Sequence, residues 1–258
     1  MNILVCVKQV LVTQKAKMDA KTNTIIREGA EAEINPFDTY AVEEALRIKD
    51  QYGGTVTVIS MGIPSVEGIL KKAVAMGCDR AILLTDKRFA GSDTLATAYT
   101  LAKAVEKISE FDLIICGKQA IDGDTAQVGP SLSEKLGIPH TTCVKRIDQI
   151  QNDSIQCQRL IENGYEILEM QLPALITVVK DINTPRTPSL KGIIKSRGVP
   201  ITHWNLDDIG ADENCCGLKG SATQVVKTFT VVHDNIVEMI VGDTKSQVEQ
   251  LLQKLRIQ

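Results

Sequence analysis

The run Gly117-Lys118-Gln119-Ala120-Ile121-Asp122-Gly123-Asp124-Thr125-Ala126-Gln127-Val128-Gly129-Pro130 joins an apolar, strand-like segment, Phe111-Asp112-Leu113-Ile114-Ile115-Cys116, to a stretch that reads as a helix. A glycine-bearing crossover from strand to helix suits phosphate: Gly117, Gly123 and Gly129 can take backbone angles closed to other residues, and the free N–H groups of the helix start attract an anion. Asp122 and Asp124 would repel phosphate, so they fit better as acceptors for ribose hydroxyls or adenine N–H groups. The P-loop order of glycine followed by Lys-Ser/Thr is absent, and Lys118 comes too early to be its lysine. Taken alone, such a loop serves as structural punctuation as readily as a ligand site.

Other candidates fall at the ends of predicted strands. Lys8 follows the first strand, Asn35-Pro36-Phe37-Asp38 precedes the first helix, Ser60-Met61-Gly62 follows the second strand, and Gly91-Ser92-Asp93-Thr94 opens the third helix. Catalytic constellations are thin. His140, His203 and His233 have no metal-like spacing, there is no GxSxG elbow and no HExxH, and Glu43-Glu44 reads as a solvated helix flank. No side chain is assigned as acid, base or nucleophile, so chemistry must come from a bound cofactor that the protein positions.

The elements that would position these residues alternate between strand and helix up to about residue 145, which predicts a parallel sheet covered on both faces, doubly wound. Strands are expected at 3–7, 55–60, 81–85, 113–116 and 141–144. Helices are expected at 40–51, at 66–76 with Ser65 as N-cap and Gly77 as stop, at 93–107 with Ser92 or Asp93 at its start and Leu95 on its apolar face, and at 128–136 ending at Gly137. Residues 9–35 are too long for an ordinary connection and carry a small hairpin turning at 20–23. A second hairpin, 154–160 with 164–172, precedes an apolar strand at 174–179. In a doubly wound sheet the candidate loops gather at the carboxyl ends of the strands, where such folds bind nucleotides.

Residues 181–200 are basic and punctuated by Pro185, Pro188 and Pro200, which excludes them from a core. Residues 203–241 read as extended and irregular, with turns at Gly210, Gly217 and Gly220, and 245–255 as a terminal amphipathic helix. The expected division is therefore a nucleotide-binding α/β domain at 1–200 and a C-terminal arm at 201–258 that lies on another subunit. The 258 residues suffice for one large or two small domains, and 29 basic against 32 acidic residues give no reason to invoke nucleic acid or an anionic membrane. Seven cysteines without a CxxC pair argue against a disulfide framework, an iron–sulfur cluster or a zinc module. The vicinal pair Cys215-Cys216 is poorly shaped for an unstrained disulfide. The first apolar run is interrupted by Lys8 before it reaches signal-peptide or membrane length, and a cytoplasmic protein is expected.

Over almost its full length the chain resembles the beta subunit of the electron-transfer flavoproteins. The matching segments are VKQV at 7–10, NPFDTYAVEEALR at 35–47, the 117–130 run, LPALITV at 172–178 and NTPRTPSLKGIIKSR at 183–197. The resemblance implies an adenine-nucleotide hydrolase-like fold and a heterodimer whose alpha subunit carries its own FAD in a mobile domain. Members of that family that merely carry electrons hold AMP and show an Asp-Asp stretch followed by Asn-Gln-Thr-Gly. Here Gly123-Asp124-Thr125-Ala126-Gln127-Val128-Gly129-Pro130 stands instead and, with Gly217-Leu218-Lys219-Gly220-Ser221, looks like the bifurcating branch. That branch binds a second FAD in the beta subunit, receives hydride from NADH, and passes electrons to the alpha-subunit FAD with its flavin dehydrogenase and to ferredoxin or flavodoxin. On this resemblance Gly123, Asp124, Thr125, Gln127 and Val128 hold the FAD phosphates and ribose, Lys8, Asn35, Ser60, Met61, Asp93 and Thr94 line the same crevice, and Leu190 is the protruding anchor for the dehydrogenase. The alternatives are a carrier holding AMP and, more distantly, an ATP-hydrolysing protein of this fold, whose SGGxDS loop is matched only loosely by Gly91-Ser92-Asp93-Thr94.

Overall fold

Ile3 and Val5 are buried in one hydrophobic cluster and the intervening Leu4 in another, so the first strand must be covered on both faces. In the computed structural model this strand, β1 (Asn2–Cys6), lies inside a nine-stranded sheet. The structure describes residues 1–11, 17–18, 25–26, 32–151, 153–226 and 237–255. In chain order β1 is followed by β2 (Gln9–Leu11), β3 (Lys17–Met18), β4 (Ile25–Ile26), β5 (Ala32–Ile34), α1 (Pro36–Tyr52), β6 (Thr55–Met61), α2 (Glu67–Met76), β7 (Arg80–Leu84), α3 (Thr94–Ile108), β8 (Leu113–Gly117) and α4 (Val128–Leu136). Then come β9 (His140–Gln151), β10 (Ser154–Ile161), β11 (Gly164–Gln171), β12 (Ala174–Val178), α5 (Leu190–Gly198), β13 (Ile201–Trp204), α6 (Gly217–Gly220) and α7 (Thr244–Leu255).

The strand order is β11-β10-β9-β12-β8-β1-β6-β7-β13. From β9 to β13 neighbouring strands run parallel, and β9-β10-β11 are antiparallel. The chain leaves β1 toward β6 and β7, then returns to the other side of β1 for β8, so the loops after β1 and β8 part in opposite directions. That is the topological switch point of an open α/β sheet. One face packs Val42 and Leu46 of α1 and Leu70 and Ala73 of α2 against Ile3, Val58 and Ile115; the other packs Leu101 and Val105 of α3 and Leu132 of α4 against Leu4, Ile59 and Ile114. The doubly wound, mostly parallel sheet is the fold expected from the sequence, and β3 pairs with β4 as the expected small hairpin, whose turn lies outside the described residues.

Several boundaries differ. α1 starts at Pro36 rather than 40, since proline at the first helical position is pre-set for the helix and gives up an N–H that has no partner there. Ser65 does not cap α2; it lies in a 3-10 turn, Pro64–Val66, that leads into the helix. Leu95 is exposed, and the buried face of α3 is built largely of Ala96, Ala98, Ala102 and Ala104 with Leu101 and Val105. The fifth expected strand, 141–144, is the start of the much longer β9, which pairs parallel with β12 and then antiparallel with β10.

The largest difference is at the C-terminal side. The sheet does not end near residue 200: β13 pairs with β7, and Leu206, Ile209, Ala211 and Cys216 are buried in the cluster beneath α3. Arg88 fastens this stretch, reaching Asp86 at 2.7 Å and Asp207 at 2.8 Å, while the N–H of Leu206 donates to Asp86. The compact unit accordingly runs from Met1 to Val226, and a second unit, 227–258, carries α7. Within that unit Val248, Leu251, Leu252 and Leu255 recur at helical spacing along α7, and the N–H of Ser246 donates to Asp243 at its start. Among the described residues no helix is long and apolar enough to cross a membrane.

Candidate functional site

The carboxyl ends of β1 and β8 meet around one buried carboxylate, Asp38. The Lys8 N–H donates to its Oδ2 at 2.7 Å and Asn35 Nδ2 donates to its Oδ1 at 2.9 Å, and the nearby Gly117 main chain also favours its charge. Burial disfavours the charge and outweighs these donors, so the Asp38 pKa is raised to about 7. The approach is close enough to explain Gly117: an added Cβ would lie 2.3 Å from Asp38 Oδ1 and 2.7 Å from the Phe37 carbonyl carbon. Gly117, Gly123 and Gly129 do not take the left-handed angles allowed by their type. Gly129 makes room for Thr177, whose Cγ2 would lie 2.6 Å from an added Cβ.

Above this base runs the loop 118–127. Asn35 is fully buried and shapes it, donating to the Gln119 carbonyl at 2.8 Å and accepting from the Ile121 N–H at 3.1 Å. The Lys8 ammonium reaches over from the β1 end to Asp122 at 2.6 Å, both side chains about half exposed. Asp124, at φ 52°, and Ala126, at φ 54°, turn the main chain through the left-handed region, which aspartate tolerates and alanine adopts only under constraint from its surroundings. Gln119 Nε2 donates to Asp124 Oδ1. Gly123, Asp124, Thr125 and Gln127 are exposed and Val128 is half-buried. Beyond its chain neighbours, none of the described residues lies within 4 Å of where a Gly123 side chain would begin. Gln127 does not cap α4; its Oε1 accepts instead from Thr94 Oγ1 at 2.9 Å, which ties the loop to the start of α3 and leaves the first N–H groups of α4 uncapped by that side chain.

Asp93 is committed within the protein. Its Oδ1 accepts from the N–H groups of Leu95 and Ala96 at 2.9 and 3.0 Å, and its Oδ2 from the Thr223 N–H and hydroxyl at 2.9 and 3.1 Å. Burial opposes its charge, but these donors prevail and its pKa is lowered. The Asp93 N–H donates to Ser221 Oγ at 2.8 Å, and the Leu218 N–H to the Ala90 carbonyl at 3.0 Å. The stretch 217–223 is thereby drawn alongside the start of α3. At the end of β6, Ser60 is 1% exposed and its Oγ has no hydrogen-bond partner among the described residues; Met61 beside it is half-buried.

On the helix-α1 face, Glu43 and Glu44 are buried, not solvated: Glu43 pairs with Arg186 at 2.8 Å and Glu44 accepts from Asn183 at 2.9 Å. Leu190 opens α5 and is 75% exposed, with Ile193 and Ile194 one turn on.

A match to the Electron transfer flavoprotein domain spans residues 22–209. The chain belongs to the electron transfer flavoprotein family. It is 48% identical, over 99% of its own length and 98% of the relative's, to "Electron transfer flavoprotein subunit beta" of Thermoanaerobacterium thermosaccharolyticum. It is 46% identical, over 99% and 98%, to "Caffeyl-CoA reductase-Etf complex subunit CarD" of Acetobacterium woodii, and 44% identical, over 89% and 84%, to "Protein FixA" of Azorhizobium caulinodans.

Within this electron transfer flavoprotein fold, direct contacts join Lys8 and Asn35 to the 118–127 loop, and Thr94 to the same loop. The side chains of Asn35 and Asp93 are hydrogen-bonded to the segments beside them. Asp38 has no functional assignment in the sequence beyond its place in the loop; two donors around a buried carboxylate are not legible there, although the Asn-Pro-Phe-Asp order ahead of a helix is the available signal. A separate cleft, lined by Arg80, Ile82, Lys107, Thr202 and Trp204, lies at the opposite, amino-terminal edge of β7 and β13 and shares none of these residues. Among the described residues no three of His, Cys, Asp and Glu are placed to hold a metal ion.

Proposed function

We propose that this chain is the beta subunit of a heterodimeric, electron-bifurcating electron transfer flavoprotein, and that the crevice over β1 and β8 holds FAD reduced by NADH. The observation that carries the reading is the open loop 121–127 at the switch point, where Gly123 has clear space above it and the first turn of α4 lacks a side-chain cap. Those features fit a pyrophosphate: uncapped N–H groups attract the anion and glycine permits close approach. Thr125 and the 123–128 main chain would bind the phosphates and adjoining ribose. Asp122 and Asp124 repel a bare phosphate, so they suit the sugar side. The orphaned hydroxyl of Ser60 supplies a buried polar atom at the next strand end, where a ligand group would satisfy it.

Bound FAD would supply what the side chains lack, acceptance of a hydride and onward release of its electrons. The chain's own part is to bind and orient. Asp38, Asn35 and Lys8 fix the floor and one wall, Thr94 and Gln127 fix the other wall, and Asp93 holds 217–223 in place. The departure of 123–130 from the AMP-type order favours FAD over AMP, and the relative named for a caffeyl-CoA reductase–Etf complex supports an oxidoreductase as partner. Ferredoxin or flavodoxin is the low-potential acceptor in this reading, and the alpha subunit is the constant partner. The test is anaerobic addition of NADH to the purified two-subunit complex without any dehydrogenase. Bleaching of flavin absorbance is expected; an unchanged spectrum would contradict hydride entry at this subunit.

A further inference from the structure

Helix α5 is amphipathic the wrong way round. Its small residues face inward: Ser196 is buried, and Gly192 lies so close to α2 that an added Cβ would sit 2.2 Å from the Ala75 carbonyl oxygen. Its large apolar residues face outward, Leu190 at 75% and Ile194 at 61% exposure, four apart and hence on one edge. Around them stand Lys191, Lys195 and Arg197, all exposed and without an ion-pair partner among the described residues. A helix that hides glycine and serine while showing leucine and isoleucine gains little from its own fold for that exposure. The surface fits a partner with an apolar groove and an acidic rim, and this rests on the reading of Leu190 as the anchor for the dehydrogenase.

The segment leading into α5 is fastened to α1 with equal specificity. Arg186 donates from Nε and Nη2 to the two oxygens of Glu43 at 2.8 and 3.0 Å, from its main-chain N–H to the same carboxylate at 3.0 Å, and from Nη2 to Asp50 at 2.9 Å. Asn183 Nδ2 donates to the Tyr40 carbonyl at 3.0 Å and to Glu44 at 2.9 Å. A forked, charge-assisted pair with one partner buried fixes orientation as well as attachment.

We propose that Glu43, Arg186 and Gly192 are positioning residues for partner docking: the fork ties the segment to α1 and the glycine seats α5 on α2, so that Leu190 and Ile194 are presented as a preformed edge. A preformed edge spares the ordering cost of docking. Loosening it therefore weakens encounter with the dehydrogenase but leaves turnover of the docked complex unchanged.

The experiment uses the complete two-subunit complex with its dehydrogenase and the variants Arg186→Met, Arg186→Lys, Gly192→Ala and Leu190→Ala. It reads KM for the dehydrogenase and kcat at saturation, amide exchange across 183–198, and nucleotide content. Arg186→Met and Gly192→Ala should each raise KM by about tenfold or more with kcat retained, as loss of a preorganised contact predicts. Exchange across 183–198 should quicken with nucleotide retained, and Arg186→Lys should recover part of the KM. If Leu190→Ala raises KM while Arg186→Met and Gly192→Ala leave it at the wild-type value, the positioning role is overturned and the docking reading survives. If Leu190→Ala itself leaves KM unchanged, the docking reading fails and the inference with it. Loss of nucleotide together with the rise in KM assigns these residues to folding of the chain and overturns the proposal as well.

Discussion

Replacing Asp38 with asparagine should change not only how stable the chain is but how its stability depends on pH. The carboxyl is buried, with its pKa raised to about 7 in the folded state, against about 4 for an exposed aspartate in the unfolded chain. Below pH 4 both states hold the proton and Asp38 contributes no pH dependence. Between pH 4 and 7 the unfolded chain ionises while the folded one does not, so stability falls with rising pH; above 7 the penalty is constant at roughly 4 kcal/mol, about 1.4 kcal/mol for each tenfold. The asparagine removes that penalty but turns an NH2 toward a donor, since Lys8 N–H and Asn35 Nδ2 both point at this group, at a pH-independent cost of about 1–3 kcal/mol. Relative to the wild type, the variant should therefore gain roughly 2.5 kcal/mol between pH 5 and pH 8. Denaturant unfolding of the full chain at the two pH values, followed through its single tryptophan, measures the difference. Equal gaps at pH 5 and pH 8 would show that Asp38 is ionised throughout, and the account of its burial would be wrong.

Gly117→Ala should lower the unfolding free energy by about 1–3 kcal/mol, because the new methyl meets the start of α1 and backbone must shift; an unchanged denaturation midpoint would refute the close-approach argument. Gly123→Val should leave folding intact, since the space above it is open, yet lower nucleotide retention on desalting by obstructing approach to the main chain. Thr125→Val should weaken nucleotide affinity by about 0.5–1.5 kcal/mol if its hydroxyl bonds the ligand. Full retention in both variants removes the loop from the site.

Much of the sheet was readable because its strands are buried on both faces and so appear as continuous apolar runs, as in Ile3-Leu4-Val5 and Leu113-Ile114-Ile115. Helix ends were readable where a side chain or glycine does the work, as with Asp93 opening α3 and Gly137 closing α4 at φ 64°. Helix α5 was not, because its packing face is Gly192 and Ser196 and an inward apolar stripe is what periodicity detects. Glu43 read as solvated because its partner Arg186 lies 143 residues away, a separation no local pattern spans. β13 reads as part of an irregular arm since an edge strand of four residues, Ile-Thr-His-Trp, shows no clean alternation. In the loop the glycine pattern suggests left-handed turns, but Gly117 and Gly129 serve packing and those turns fall on Asp124 and Ala126. Among the candidate ligand residues, Asn35 also bonds Gln119 and Ile121 and Asp93 also bonds Leu95, Ala96 and Thr223, contacts that depend on which groups their side chains meet after folding.

The most direct test of the central claim is the nucleotide content of the purified complex of this chain with its alpha subunit, released by denaturation and quantified per heterodimer. Two FAD per heterodimer and no AMP is the expected result, with one FAD lost selectively in Gly123→Val. One FAD and one AMP would contradict the assignment of FAD to this crevice.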